Sequence, residues 1–218
     1  MMSSRLSRRL GIVDYGVGNL HSVGKALERL GEPAVLVQSH NDLVGLEALI
    51  LPGVGSFGPA MDSLYSTGLV PYLRAWGEAN RPILGICLGL QLLFEYSAED
   101  EKEGLGIFQG SVERLPHQID ERVPHMGWAP LRVRRSCPLL SDDGAAPWVY
   151  FVHSYVAVPR NAAVLAATVN YGTSTVTAVV WSGRVGACQF HPEKSSSAGE
   201  AILKRWLHWL YQSAGSYL

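Results

Sequence analysis

The chain has 218 residues, 47% of them hydrophobic, enough for a domain of ordinary size with a substantial core. Its formal net charge of −1 excludes a chain built to bind polyanions or an anionic membrane surface. Three cysteines without paired spacing exclude a disulfide scaffold, no apolar run approaches the ~20 residues of a membrane span, and no His/Cys spacing suits a metal.

In chain order, residues 1–10 read as a flexible, basic extension ("SRLSRR") with no apolar stretch behind it to make a signal peptide, and residues 11–218 as a single domain, metal-free and cytoplasmic. Apolar strands then alternate with helical patterns. "LGIVDYG" precedes a helix from about Asn19 to Leu30. "AVLVQ" and "ALILPG" follow, then two helices over roughly Gly58 to Asn80, then the strand "PILGI" and a helix to about Tyr96. This alternation predicts an α/β fold with an open, mainly parallel, doubly wound sheet, whose ligand sites lie beyond the carboxyl ends of its strands. Glu99 to Glu103 reads as a solvated acidic loop. The second half adds β-structure in "GLGIFQGSVERL", "APLRVR", "WVYFVHSYVAV", "AVLAATVNYG", "TVTAVVWSG" and "RVGACQF", and a helix from Ala198 to about Gln212 packs Trp206 and Trp209. "DYGVGN" imitates a dinucleotide loop, but His21 stands where the third glycine belongs, so the turn is expected to shape a cleft or a partner surface.

The chemistry concentrates at Gly85-Ile86-Cys87-Leu88-Gly89. An apolar strand runs into a cysteine flanked at two residues on each side by glycine, and a helix-compatible run follows. That is the spacing of a nucleophile elbow, in which a sharp strand-to-helix turn lifts the nucleophile into a cleft and leaves no room for side chains at the flanking positions. The thiol stands at a helix N-terminus, which favours thiolate, and the Leu88 N–H is placed to meet a developing oxyanion. An inert buried cysteine would look the same without the glycines. A hundred residues on, "QFHPEKS" offers His191 as a base and Glu193, two residues away across a proline, as the group that orients it. On its own, His-x-Glu also fits a solvated surface loop.

Together the elbow "PILGICLGLQLLFE" and "QFHPEKS" resemble the class I, triad-type glutamine amidotransferases. "ILPGVGSFGPAM" agrees: the resemblance makes its glycine turn a second source of oxyanion N–H groups, from Gly53 or Val54. It also implies substrate contacts at Gly55, Gln91, His153 and Ser154, although Gln91 read alone could be an ordinary surface residue. "IVDYGVGNLHSV", "PHMGW" and "YFVHSYVAV" narrow the likeness to the glutaminase subunits of imidazole glycerol phosphate synthase, over nearly the whole chain from residue 11. The resemblance implies hydrolysis of L-glutamine by Cys87, His191 and Glu193 without a cofactor. It also implies delivery of ammonia to a (β/α)₈-barrel cyclase subunit in a heterodimer, which makes imidazole glycerol phosphate and aminoimidazole carboxamide ribotide in histidine biosynthesis. Trp128, Tyr150 and Lys194 resemble partner or gate positions. Ala129 departs from the family's usual "HMGWN" and is expected to remove a polar group from a partner-facing loop. Another amidotransferase subunit, a cysteine peptidase on the same fold, or a silent binding subunit would keep parts of this pattern.

Overall fold

A computed structural model describes residues 10–116, 122–141 and 143–212. The first half follows the predicted alternation: β1 (Leu10–Val13), α1 (Leu20–Arg29), β2 (Ala34–Val37), β3 (Ala48–Gly53), α2 (Phe57–Ser66), α3 (Val70–Glu78), β4 (Ile83–Cys87) and α4 (Leu88–Leu92). Next come β5 (Phe94–Ser97), β6 (Lys102–Glu103), β7 (Phe108–Arg114), β8 (His125–Pro130), β9 (Arg132–Val133), β10 (Trp148–His153) and β11 (Tyr155–Pro159). The chain continues with β12 (Leu165–Tyr171), β13 (Ser174–Ser182), β14 (Val185–Cys188) and α5 (Ser196–Gln212).

The main sheet has strand order β2-β1-β3-β4-β14-β13-β12-β9. From β2 to β14 every pairing is parallel, and β13, β12 and β9 extend the sheet antiparallel. This is the expected mainly parallel sheet with added antiparallel strands. All six residues of β3 and all five of β4 are buried, the continuous apolar run that a strand covered on both faces requires. Alternate residues divide between two cores. Ile12, Ile50 and Ile86 pack with Val23 and Leu27 of α1 and Leu203 and Trp206 of α5. Val13, Leu49 and Leu51 pack with Met61 and Leu64 of α2 and Leu73 and Trp76 of α3. Two smaller sheets complete the fold: the hairpin β10-β8, and β11-β7-β5-β6. Among the described residues no helix is long and apolar enough to cross a membrane.

Several expectations need correction. The extension was placed at residues 1–10, but Leu10 opens β1 and is buried; "SRLSRR" lies outside the described residues. The helix after the elbow stops at Leu92 instead of reaching Tyr96, because Phe94, Tyr96 and Ser97 pair in parallel with β7. Glu99 to Glu103 is a solvated turn only in part: Asp100, Glu101 and Glu103 are exposed, but the first two carboxylates are engaged. Glu99 Oε2 accepts the Phe57 N–H (2.9 Å) and Asp100 Oδ2 the Gly58 N–H (2.7 Å), so two carboxylates satisfy the first turn of α2, and Lys102–Glu103 form β6. "WVYFVHSYVAV" breaks at Ser154 into β10 and β11, which enter different sheets. Ala129 pairs with Val149 in the hairpin and packs on the core, so the missing polar group is not taken from the exposed face.

Candidate active site

Three neighbouring strands, β3, β4 and β14, end at one place. Gly53 pairs with Cys87 in the ladder, and Cys188 pairs with Ile86. Cys87 closes β4 with φ 55° and ψ −110°, a left-handed backbone that ordinary residues avoid, and α4 begins at the next residue. The turn is held by close packing: a Cβ on Gly89 would lie 1.7 Å from Leu51 O, and one on Gly85 would lie 2.9 Å from both the Ala187 Cβ and Gly89 O. The Cys87 side chain is 6% exposed; Sγ lies 3.9 Å from Val152 O and 3.9 Å from Gln189 Nε2.

His191 follows β14 in a loop pinned to the hairpin. Its N–H donates to Tyr150 O (3.0 Å), and Ser195 Oγ donates to His191 O (2.6 Å) while accepting the Tyr150 N–H (3.0 Å). His191 Nδ1 lies 2.7 Å from Glu193 Oε1, with both side chains almost fully buried. Nε2 is buried and makes no hydrogen bond, which leaves it the free nitrogen on the side of the cleft it shares with Cys87. Burial alone would lower the imidazole pKa; attraction to Cys87 and the hydrogen bond to Glu193 outweigh it and raise the value to about 9. The arrangement sets a thiol and an imidazole in one cleft, with a buried carboxylate on the far ring nitrogen, groups of the kinds that nucleophilic catalysis uses.

The cleft has a volume of ≈ 340 Å³. It brings together Val54, Gly55, Cys87, Leu88, Gln91, His153, Ser154 and His191 of the predicted positions. Gly53 stands just behind: a Cβ there would meet Tyr15 Oη at 2.6 Å and Leu88 Cβ at 2.9 Å, and Tyr15 Oη itself donates to Pro52 O at 2.8 Å. The "DYGVGN" turn thus braces the glycine turn, and burial pushes the Tyr15 phenol up in pKa, so that it stays a neutral donor. Gly55 has φ +91°, a backbone that favours glycine, with open space where a Cβ would stand. Gln91 is not a surface residue. It is 4% exposed, and Nε2 donates to Tyr155 O (3.0 Å) and Gln189 Oε1 (3.2 Å). His153 Nδ1 donates to Tyr155 O (2.8 Å), and burial lowers its pKa to about 4, so it lines the wall as a neutral ring.

Trp128, Tyr150 and Lys194 lie outside the cleft. Trp128 and Tyr150 are cross-strand partners in the hairpin, their rings 6.1 Å apart edge to face, and Lys194 is exposed one residue past Glu193. With Met126 and Trp148 (63% and 56% exposed), Trp128 and Tyr150 form an apolar hairpin face next to Val152 at the cleft wall. Sequence reasoning missed Glu99, Ser56, Pro124, Val152 and Tyr155 in the lining. Glu99 was dismissed with its acidic run. Burial raises its carboxyl pKa, partly offset by the Phe57 N–H.

Comparison with known proteins agrees with this geometry. Residues 11–209 match the family model of class-I glutamine amidotransferases. The chain is 71% identical over 205 residues (94% of this chain, 96% of the relative) to imidazole glycerol phosphate synthase subunit HisH of Synechococcus sp. (strain CC9902). It is 56% identical over 206 residues (94% and 97%) to subunit HisH 2 of Prochlorococcus marinus (strain MIT 9313). Among solved structures, a glutamine amidotransferase superposes with TM-score 0.72 at 23% identity, covering 93% of this chain and 98% of that one. PurLQS from Thermotoga maritima superposes with TM-score 0.73 at 20% identity, covering 94% and 100%. These last two likenesses concern the fold alone. From the matched family model and the near full-length relatives, the chain belongs to the class-I glutamine amidotransferases, among the HisH subunits of imidazole glycerol phosphate synthase.

Proposed function

We propose that Cys87, His191 and Glu193 are the triad with which this HisH glutamine amidotransferase of histidine biosynthesis hydrolyses L-glutamine. The observation that carries the reading is Cys87 held at φ 55° at the end of β4, in one cleft with His191, whose Nδ1 lies 2.7 Å from Glu193. The Cys87 thiolate attacks the side-chain amide carbon of L-glutamine. The tetrahedral oxyanion takes hydrogen bonds from the Leu88 N–H and from the Gly53–Val54 segment. His191 protonates the leaving nitrogen, ammonia departs, and a thioester remains on Cys87. His191 then takes a proton from water, which attacks the thioester and releases glutamate. Glu193 holds the imidazole so that Nε2 faces the sulfur. Gln91, Gly55, Ser154 and Glu99 line the space for the amino-acid end of the substrate, and His153 shapes its wall.

Free ammonia at neutral pH is mostly protonated and no longer nucleophilic, so it needs direct delivery. The apolar hairpin face of Met126, Trp128, Trp148 and Tyr150, beside the cleft wall and joined to the His191 loop by hydrogen bonds of the Tyr150 backbone to the His191 N–H and the Ser195 hydroxyl, fits a partner surface. The partner in this reading is a (β/α)₈-barrel cyclase that forms a heterodimer with this chain and consumes the ammonia. The test is release of glutamate from L-glutamine by the chain mixed with such a cyclase. Absence of release with both subunits folded and associated would defeat the reading.

A further inference from the structure

A line of buried polar groups reaches the Cys87 sulfur. It starts at Tyr155 O, which accepts from His153 Nδ1 (2.8 Å) and from Gln91 Nε2 (3.0 Å). A backbone carbonyl can only accept, so the groups facing it are N–H donors, and the Gln91 amide has one orientation. The same Gln91 nitrogen donates to Gln189 Oε1 at 3.2 Å. With its oxygen so engaged, fully buried Gln189 turns Nε2 toward Cys87 Sγ, at 3.9 Å. The sulfur therefore has two polar neighbours of opposite kind. Val152 O, also at 3.9 Å, is an acceptor that suits the neutral S–H. The Gln189 N–H is a donor that suits the thiolate.

We propose that Gln189 is a positioning residue for the nucleophile: its amide N–H, oriented by Gln91 and the Tyr155 carbonyl, holds the Cys87 sulfur toward the cleft and favours its thiolate over the thiol bonded to Val152. This rests on Cys87 being the nucleophile. The titratable groups facing the sulfur are His191 beyond β14, with Glu193 behind it, Tyr15 after β1, and Cys188 on β14. Burial keeps Tyr15 and Cys188 neutral, so the His191–Glu193 pair is the charged neighbour and Gln189 the neutral donor.

The test is the pH profile of Cys87 alkylation by iodoacetamide in the full chain, read by peptide mass spectrometry. It needs no glutamine turnover, so its failure is distinct from failure of the glutaminase reading. Gln189→Met removes the donor at similar volume. Gln189→Glu keeps an acceptor for Gln91 and sets a carboxylate against the sulfur. A hydrogen bond to a charged group corresponds to roughly a tenfold bias, so the pH of half-maximal alkylation is expected to rise by about one pH unit in Gln189→Met and further in Gln189→Glu. Half-buried Cys137 in the same samples keeps its profile. An unmoved Cys87 profile in both variants, whatever their melting temperatures, overturns the proposal. If neither variant folds, Gln91→Met decides: it leaves Gln189 in place but frees its amide to turn. A smaller rise supports the proposal, and no rise overturns it.

Discussion

Gly89→Ala adds one methyl group at the point where the elbow crosses β3. The new Cβ would stand 1.7 Å from Leu51 O and 2.8 Å from Leu51 C, roughly 1.8 Å short of an ordinary contact of about 3.5 Å. The obstacle is the backbone of a central strand paired on both edges, so it cannot give way by a rotamer change. Overpacking of a core costs about 1–3 kcal/mol, and a backbone clash of this depth belongs at or above the top of that range. For a chain of this size, about 3 kcal/mol corresponds to a melting temperature lower by about 10 °C. The same displacement spreads Leu51-Pro52-Gly53 from Leu88, and both sides carry oxyanion N–H groups in the proposed mechanism. Loss of one such donor typically costs about 10²–10³-fold in rate. The measurements are thermal unfolding by circular dichroism and steady-state glutamate release below the transition. Gly24→Ala is the control: its Cβ would meet only Ile12 Cδ1, at 4.0 Å, in the middle of α1, where alanine replaces glycine favourably. A Gly89→Ala protein that melts within about 2 °C of wild type and keeps full activity would refute the steric account of the elbow.

His191→Asn is expected to lose about 10²–10⁴-fold in glutamine turnover through loss of the general base, and Glu193→Gln less, because it orients and does not transfer; equal losses in kcat/KM would contradict that division. The His191 pKa is raised in the folded state, so its stabilisation is fully present below about pH 6.5 and is lost as pH rises through about 9. Urea unfolding is expected to show the advantage of wild type over His191→Asn shrinking across that window, and an advantage that grows with pH would be the wrong sign. Trp128→Ala and Met126→Asp, on the exposed hairpin face, are expected to weaken cyclase binding at least about tenfold in a titration, with little change in melting temperature. Unchanged affinity in both would place the partner elsewhere.

The sheet was legible because β1, β3 and β4 carry continuous apolar runs between helical patterns, and a strand buried on both faces has no other sequence form. The elbow and the His-x-Glu segment were legible because glycine spacing and local order set them. What stayed hidden depends on pairing at long range. Phe94 to Ser97 continues a helix-compatible run, and only the partner strand β7 turns it into β5. Glu99 and Asp100 read as solvated charges because the N–H groups they meet, on Phe57 and Gly58, lie about forty residues away in sequence. Ala129 seemed to belong to a partner-facing loop until the hairpin register set its side chain inward, between outward-facing Trp128 and Pro130. Gln189 passed as part of a motif; its contacts to Gln91 and Cys87 cross about a hundred residues.

In the proposed mechanism the Cys87 sulfur attacks the side-chain amide carbon of glutamine and displaces ammonia. Acid quenching during glutamine turnover, followed by peptide mass spectrometry, tests it directly. A γ-glutamyl thioester on Cys87, absent from Cys87→Ala and absent without glutamine, is the expected result. Turnover with the adduct on another residue, or glutamate release that survives Cys87→Ala, would contradict the account.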